Sequence, residues 1–213
     1  MANIADLRRE YARASLGIDN ISADPVRQFN KWFSEALEAE VLEANAMSLA
    51  TCNLDSRPSC RIVLLKGVED NRFVFFTNFQ SQKGKELEIN PVCALTFFWP
   101  ELERQVRIEG IVSRISDERS TTYFQSRPRG SQVSAWSSPQ SSAIDSREIL
   151  NERAAQIEER FKSHTVLPKP KQWGGYQVEP TMIEFWQGRP NRLHDRLAFF
   201  RLDNEWVIRR LAP

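Results

Sequence analysis

The sequence predicts a mainly β, α+β protein whose centre is an antiparallel barrel or sandwich with flanking helices. Short β-prone segments recur at regular spacing, and turn-forming residues separate them, which is typical of antiparallel architectures. Apolar residues at helical spacing before and after these segments predict helices beside the sheet. The chain has 213 residues, 41% of them hydrophobic, so we expect one domain with a sizeable core.

The first elements along the chain are an arm and a helix. Residues 1–20 are charged and carry few apolar side chains, so we expect an N-terminal arm followed by a single domain over residues 21–213. Asp24 and Pro25 indicate a helix N-cap and a proline at the first helical position. Four apolar residues then predict one core-facing side of this helix: Val26, Phe29, Phe33 and Leu37.

The strands and the later helices follow in order. Runs of β-prone residues bounded by turn signals predict strands over residues 47–52, 59–65, 72–77, 92–99, 105–115, 182–186, 197–202 and 206–208. Polar caps and helical spacing predict helices over residues 81–88, 116–125 and 150–161, with Ser116 as the cap of the second. The polar segments 126–142 and 169–175 are expected to be connections, the first of them rich in hydrogen-bond donors.

Charge and composition argue against several classes of protein. Lys and Arg number 29 against 28 Asp and Glu, which disfavours a nucleic-acid-binding protein. No apolar run approaches the roughly 20 residues of a membrane span, and residues 1–16 lack the apolar stretch of a signal peptide. Cys52, Cys60 and Cys93 are unclustered, so we expect no metal site and reduced thiols in a cytoplasmic protein.

The densest group of polar and aromatic residues surrounds a turn between two strands near the C-terminus. Residues 185–188 contribute Trp186, and residues 191–196 contribute two Arg and His194. A buried core disfavours such a group, because each charge would need a partner. Arg matches phosphate with a forked donor and stacks on rings, so the pattern favours a planar anionic ligand. His194 fits a proton donor, a substrate contact or a structural histidine.

Two further segments have the composition of phosphate contacts. Residues 61–66 form an apolar strand with a cation at each end, which fits an amphipathic ligand but equally a core strand with solvated ends. Residues 76–84 lead from a strand into a helix and place Lys83 near free helix-start amides. This arrangement fits either a phosphate cradle or a capped surface helix.

A second phosphate contact and a ring contact have weaker signals. Tyr123, Arg127 and Ser131 fit a phosphate site or a helix terminus with surface charges. Gln105 is an amide in a strand and fits a polar ring edge or a solvated strand face. No Ser-His-Asp or Cys-His set is discernible. Aromatic residues and phosphate sites without a nucleophile favour a cofactor that supplies the chemistry.

The order and spacing of these segments resemble the pyridoxamine/pyridoxine 5′-phosphate oxidase family over nearly the whole chain. The resemblance is carried by residues 7–11, 61–66, 76–78, 126–129, 140–142, 173–175, 184–188, 191–196 and 210–213. It implies an FMN-binding split β-barrel that works as a homodimer with sites at the subunit interface. It also implies a reaction of vitamin B6 salvage. Pyridoxamine 5′-phosphate and pyridoxine 5′-phosphate are oxidised by FMN and dioxygen to pyridoxal 5′-phosphate, with release of hydrogen peroxide and, from the amine, ammonia.

The resemblance implies a role for each matching residue. The FMN-binding residues would be Arg61, Ile62, Val63, Leu64, Leu65, Lys66, Phe76, Thr77, Gln82, Lys83, Gln105, Gln140, Ser141, Trp186 and Arg196. The substrate-binding residues would be Arg8, Arg9, Glu10, Tyr11, Lys66, Tyr123, Arg127, Ser131, Arg192, Leu193 and His194. Arg192 and His194 would lie against the pyridine ring in the catalytic role, and residues 8–11 would form a lid.

Two positions depart from the family pattern, and two other functions fit parts of the sequence. Gln82 stands where many members carry Arg beside the FMN phosphate, and Phe76 where some carry Tyr, so we expect modestly weaker FMN binding. The other functions are a flavin reductase that uses a nicotinamide and a non-enzymatic carrier of pyridoxal phosphate. The substrate group that includes Arg127 and His194 favours the oxidase.

Overall fold

The structure is a computed structural model that describes residues 3–4 and 10–213 of the chain. Its helices are α1 (Pro25–Glu38), α2 (Gln82–Ile89), α3 (Asp117–Ser126), α4 (Arg129–Ser137) and α5 (Glu148–Arg160). Its strands are β1 (Ala46–Cys52), β2 (Pro58–Leu64), β3 (Gly67–Glu69), β4 (Arg72–Asn78), β5 (Val92–Trp99), β6 (Arg104–Arg114), β7 (Trp173–Gln187), β8 (Asp195–Leu202) and β9 (Glu205–Arg210).

Helix α1 begins where the sequence predicts, and Val26 and Phe29 are buried as expected, but the buried side is rotated slightly from the predicted one. The Asp24 carboxylate caps the helix by accepting a hydrogen bond from the Val26 amide at 2.8 Å. Trp32 and Ala36 are buried, whereas Leu37, which was expected in the core, is 57% exposed. Neighbouring positions such as 32 and 33 or 36 and 37 are about 100° apart on a helix, and packing on the strands selects Trp32 and Ala36 as the more buried ones.

The strands form one sheet that curls into a barrel with an open seam. Its hydrogen-bonded order is β2-β1-β5-β6-β7-β4-β3, and β8 and β9 extend from β7. β2 and β4 lie side by side although they are not neighbours in this order. Beyond the end of β2, the Lys66 amide donates to the Val74 carbonyl at 2.8 Å, which extends the pairing of β3 with β4. The predicted antiparallel split barrel with flanking helices is confirmed.

Strand β7 joins the two parts of the sheet. Residues 176–187 pair with β6 on one edge, while on the other edge residues 173–178 pair with β4 and residues 182–187 with β8. A bulge interrupts the β6–β7 register between Glu109 and Gly110, close to this change of partner. At about 3.3 Å per residue the 15 residues of β7 extend for roughly 45–50 Å, so its two ends serve different parts of the molecule.

Three elements differ from the sequence prediction: the short strand β3 was not predicted, and the other two are β7 and α4. A connection is predicted over residues 169–175, but β7 already begins at Trp173. In the sequence, Gly174 favours a loop. In the strand, its missing side chain makes room for the Phe79 ring, which lies 2.5 Å from the position that a Cβ would occupy. Helix α4 occupies the predicted polar connection, because burial of Gln132 and Val133 outweighs its weak helical signal.

Two apolar clusters hold these elements together. The larger lies between α1 and the strands and includes Phe29, Phe97 and Phe185. The smaller packs the later helices against the start of β7 and includes Phe124 and Trp173. In the part of the chain that the structure describes, no helix is both long and apolar enough to cross a membrane.

Candidate functional site

A cavity of about 510 Å³ opens where β2 and β4 meet α3 and α4. It is lined by Ile62, Val63, Leu64, Lys66, Phe76, Thr77, Asn78, Lys83, Tyr123, Arg127, Pro128, Ser131, Ser134, Ala135, Ser138, Gln140 and Trp173. Among these described residues there are three cations and neither Asp nor Glu. The volume is typical of small-molecule sites, and the charge of the lining favours an anionic ligand.

Lys83 lines this cavity at the start of α2. Its ammonium donates to Thr77 Oγ1 at 3.3 Å and lies 3.5 Å from Ser81 Oγ, and the residue is 7% exposed. Burial lowers the pKa of Lys83, and the nearby charge of Arg61 lowers it further, while Glu86 raises it. A phosphate at this position would stabilise the charged ammonium, so Lys83 is suited to bind one.

Arg127 lines the same cavity and carries a buried, unpaired donor. Its Nη1 atom is buried and has no hydrogen-bond partner among the described residues. Burial lowers the pKa of the guanidinium, although Tyr123 raises it. The guanidinium lies 4.8 Å from the centroid of the Trp173 ring. A buried N–H without a partner costs free energy, so this guanidinium keeps hydrogen-bonding capacity that the described part of its own chain does not use.

Flat and aliphatic side chains form the apolar part of the lining. Phe76 stacks on Tyr123 with 3.9 Å between ring centroids, and on Trp173 with 5.4 Å. On the outer side of β2, Ile62 is 64% exposed and Leu64 is 36% exposed. Exposed aliphatic groups and stacked rings next to cations fit a planar ligand with a charged end.

Three predicted cofactor contacts on the β2 side do not line the cavity: Arg61, Leu65 and Gln82. Arg61 donates to Ser59 Oγ at 2.5 Å and lies 3.5 Å from the Glu86 carboxylate. Gln82 donates to Glu86 at 2.9 Å, and Leu65 is buried in the core. Glu86 therefore fixes two of these side chains beside the cavity.

A second group of predicted site residues lies in a row across three strands. Gln105 on β6 is opposite Trp186 on β7, and Trp186 is opposite Arg196 on β8. Opposite residues share one face of a sheet, so the three side chains leave it on the same side. The buried Glu184 accepts a hydrogen bond from Arg196 Nε at 2.7 Å, which orients the guanidinium and raises its pKa.

Tyr11, Trp186 and His194 form an aromatic cluster beside this row. Their ring centroids are 4.6 Å apart for Trp186 and His194, 5.7 Å for Tyr11 and Trp186, and 5.9 Å for Tyr11 and His194. Nδ1 of His194 accepts a hydrogen bond from the Arg189 amide at 3.1 Å, so the neutral ring carries its proton on Nε2. Burial lowers the pKa of His194, and Arg192 lowers it further. His194 is thus set up as a neutral donor.

The other predicted site residues lie outside the cavity. Arg192 and Leu193 are exposed on the turn between β7 and β8, where Arg192 has a left-handed φ of 60°. Ser141 is exposed with a φ of 71°, and Glu10 is also exposed. Residues 8–9 lie outside the described part of the chain. Lys66 and Arg127 therefore share a cavity, whereas Arg192 belongs with the second group.

Family models match both parts of the site. The model described as pyridoxamine 5′-phosphate oxidase matches residues 33–161, which include most of the cavity lining. The model described as pyridoxine 5′-phosphate oxidase C-terminal dimerisation region matches residues 173–213, which include Trp186, His194 and Arg196. The chain belongs to the pyridoxamine 5′-phosphate oxidase family.

Curated members of the family are similar to this chain over their full length. One from Salinibacter ruber is 54% identical, and the match covers 100% of both chains. One from Rubrobacter xylanophilus is 54% identical over 99% of this chain and 97% of the relative. Both are named pyridoxine/pyridoxamine 5′-phosphate oxidase.

Solved structures share the fold of this family member. PhzG from Burkholderia lata, in complex with tetrahydrophenazine-1-carboxylic acid, has a TM-score of 0.88 and 28% identity, covering 95% of this chain and 100% of that one. A pyridoxamine 5′-phosphate oxidase-related, FMN-binding protein from Nostoc punctiforme has a TM-score of 0.69 and 18% identity, covering 91% and 100%. The second likeness concerns the fold alone.

Several residues of this candidate site have no role predicted from the sequence. In the cavity they are Asn78, Pro128, Ser134, Ala135, Ser138 and Trp173. The i, i+4 spacing of Ser134 and Ser138 was an available signal, but it has meaning only once α4 is known to be a helix. The orienting role of Glu184 depends on its burial and on its bond to Arg196, which require the folded sheet.

Proposed function

We propose that this protein oxidises pyridoxamine 5′-phosphate and pyridoxine 5′-phosphate to pyridoxal 5′-phosphate, with FMN as cofactor and dioxygen as the final electron acceptor. Hydrogen peroxide is released, together with ammonia from the amine, and the reaction serves vitamin B6 salvage. The observation that carries the proposal is the cavity, where three cations and the unpaired Arg127 donor lie beside stacked rings. This lining supports binding of planar phosphorylated molecules.

The chemistry of the donors fits FMN. Lys83, Thr77 and the first amides of α2 suit its phosphate, because a helix start and an ammonium both stabilise negative charge. The exposed Ile62 and Leu64 suit an apolar ring face. Further contacts come from the second group, namely Gln105, Trp186 and Arg196. These residues would hold FMN, which when bound would supply the hydride acceptor that dioxygen can reoxidise.

The substrate is held at two ends in this proposal. Its phosphate is bound by Lys66, Tyr123, Arg127 and Ser131, all of which line the cavity. These contacts supply binding energy remote from the reacting carbon. His194 donates from Nε2 to a substituent of the pyridine ring, since Nδ1 already accepts the Arg189 amide. Arg192 presses the ring toward the flavin, so both residues orient the substrate for hydride transfer.

A homodimer completes each active site. The cavity lies beside the start of β7 and Trp186 lies near its end, and roughly 40 Å of strand separates Trp173 from Trp186. A single copy presents the two groups separately, whereas a second copy can bring its own Trp186 and His194 to the cavity. The match of residues 173–213 to a dimerisation region supports this arrangement.

The proposal includes a location and a domain division. Cys52, Cys60 and Cys93 are free thiols, which supports a reducing, cytoplasmic environment. Residues 1–20 act as an arm, with residues 8–11 as the lid, and residues 21–213 act as one domain.

The visible spectrum of the purified protein tests the proposal. A flavin spectrum should bleach when pyridoxamine 5′-phosphate is added without oxygen, and air should restore it with release of hydrogen peroxide. Pyridoxamine without its phosphate is the matched control and should bleach far more slowly, because it cannot bind Arg127. Bleaching by a nicotinamide alone would identify a flavin reductase. Binding of pyridoxal phosphate by a flavin-free protein would identify a carrier, and either result would overturn the proposal.

A further inference from the structure

Glu103 ties the N-terminal arm to the body of the protein. It follows a short 3₁₀ turn between β5 and β6 and is 7% exposed. Its Oε2 atom accepts hydrogen bonds from the backbone amides of Ala12 at 3.0 Å and of Arg13 at 2.9 Å. Within the described chain, these amides are the hydrogen-bond partners of this carboxylate. Bonds from amides to a charged acceptor are among the stronger ones in proteins.

The backbone of the same residue holds the turn that follows β7. The Glu103 carbonyl accepts hydrogen bonds from the Gly188 amide at 2.8 Å and from Gln187 Nε2 at 3.2 Å. Glu103 has a left-handed φ of 54°, which residues other than glycine seldom adopt. It therefore links two segments that are far apart in sequence, the arm and the chain just after Trp186.

The Tyr11 side chain lies close to Glu103 and to the chain just after Trp186. A Cβ at Gly188 would lie 2.7 Å from Tyr11 Cβ and 3.1 Å from Glu103 Cβ, so this approach requires glycine. The Tyr11 ring meets Trp186 and His194 in edge-to-face geometry. The two amides that bind Glu103 belong to the residues directly after Tyr11, so the carboxylate controls where the ring lies.

The rest of the arm has separate anchors. The Leu16 amide donates to Asp195 Oδ2 at 3.0 Å, and Arg189 donates to the Ala14 carbonyl at 3.2 Å. These bonds do not involve Glu103, and neither does the bond from Arg13 Nη1 to the Glu101 carbonyl, which is 2.6 Å long. Removal of the Glu103 carboxylate should therefore loosen the backbone of residues 12–13 and leave residues 14–16 attached. The effect of Glu103 is thus local to the part of the arm that carries Tyr11.

We infer that Glu103 is a positioning residue that latches residues 12–13 and so holds Tyr11 over the substrate ring beside His194. Its effect on the substrate rests on the proposed function, whereas the latch itself does not. Glu103 is absent from the cavity lining. Its loss should therefore raise KM and leave kcat and FMN content within about twofold of the wild type.

Limited proteolysis of the holoenzyme tests the latch. Glu103→Asn keeps a residue that tolerates the left-handed backbone but is too short to reach the arm amides. Glu101→Gln is the matched control, because it removes an exposed carboxylate from the same turn. Trypsin cleavage after Arg13 should be about tenfold faster in Glu103→Asn and unchanged in the control. Unchanged cleavage in Glu103→Asn would overturn the latch.

A double-mutant cycle distinguishes positioning from general stability. Glu103→Asn should raise the KM for pyridoxamine 5′-phosphate about tenfold in the wild-type background, with little further effect in Tyr11→Ala. An equal rise in both backgrounds would contradict the inference. Glu103→Gln keeps the length of the side chain and one acceptor oxygen, so it should raise KM by a smaller factor. This variant replaces Glu103→Asn in the test if the Asn variant misfolds. An inactive wild type would overturn the proposed function alone, and cleavage after Arg13 would still decide the latch.

Discussion

Arg127 and Arg129 lie two positions apart and have opposite surroundings. Arg129 donates to the Glu158 carboxylate at 2.7 Å and to the His164 carbonyl at 2.6 Å, so the chain itself uses its charge. Arg127 lies over Trp173 with a buried, unpaired Nη1. An arginine paired within the chain supports the fold, whereas one that its own chain leaves unpaired is available for a ligand.

Arg127→Met should weaken substrate binding without weakening the fold. We expect KM for pyridoxamine 5′-phosphate to rise about 10- to 100-fold, because this factor corresponds to the free energy of one or more hydrogen bonds to a charged group. The melting temperature of the protein without substrate should not fall, because an unpaired buried charge is removed. Arg129→Met is the control and should lower the melting temperature with little change in KM. Steady-state kinetics and thermal unfolding measure both, and an unchanged KM would remove Arg127 from the phosphate site.

His194 should make stability depend on pH in a defined direction. Burial lowers its pKa in the folded protein, so the unfolded chain binds a proton first as the pH falls below about 6.5. The contribution of the neutral His194 ring to the free energy of unfolding is therefore present above that pH and is lost as the pH falls below it. His194→Asn keeps an acceptor for the Arg189 amide but cannot titrate. Denaturant unfolding should therefore show that the free energy of unfolding falls more steeply with decreasing pH in the wild type than in His194→Asn. An equal pH dependence in both proteins would contradict the assignment.

At the scale of elements, the contact between β6 and β7 decides how the two site groups are separated. Gly110 lies at the bulge, and a Cβ there would lie 2.4 Å from the Glu179 carbonyl oxygen of the facing strand. Backbone cannot move away as a side-chain tip can. The close approach at Gly110 therefore maintains the ladder near the point where β7 changes partner from β4 to β8.

Gly110→Ala should destabilise the protein by about 1–3 kcal/mol, the usual cost of overpacking. Gly130→Ala is the matched control, since nothing lies within 4 Å of a Cβ at that position of α4. It should be neutral or stabilising by up to about 1 kcal/mol, because Ala favours a helix over Gly. Denaturant unfolding of both variants gives the comparison. Equal stability of the two would show that the strands can separate at the bulge without cost.

At the scale of the whole molecule, one chain carries two incomplete groups of site residues. The cavity holds Lys66 and Arg127, and the turn after β7 holds Arg192 and His194. In the proposed function the first group supplies the donors for phosphate, and the second supplies the ring contacts. In the proposed homodimer each active site takes one group from either copy, which makes complementation between variants possible.

Mixed dimers of Arg127→Met and Arg192→Met should regain activity. Each homodimer has two damaged sites, whereas the mixed dimer has one site with both lesions and one with neither. Random exchange should restore about a quarter of the wild-type activity at low substrate concentration, because half of the dimers are mixed and half of their sites are intact. Co-expression with two affinity tags isolates the mixed species. No recovery in the mixed dimer would show that each site is formed within one chain.

Local signals predicted local structure well, and failed where a distant contact decided. The Asp24 cap and the Ser116 cap are confirmed, because capping involves residues two or three positions away. The expected burial of Leu37 was wrong, since the barrel selects the side of α1 that faces it. The early start of β7 was missed because Gly174 is accommodated by Phe79, which lies far away in the sequence.

The sequence by itself determined the class of fold and the kinds of side chain available to a phosphorylated ligand, because residue identity sets charge, hydrogen-bonding capacity and local periodicity. Only the tertiary structure decided which cations are already paired. Arg61 meets Glu86 and Arg196 meets Glu184, while Arg127 keeps a buried donor without a partner. Pairing depends on which segments the sheet brings together, and no spacing along the chain specifies it.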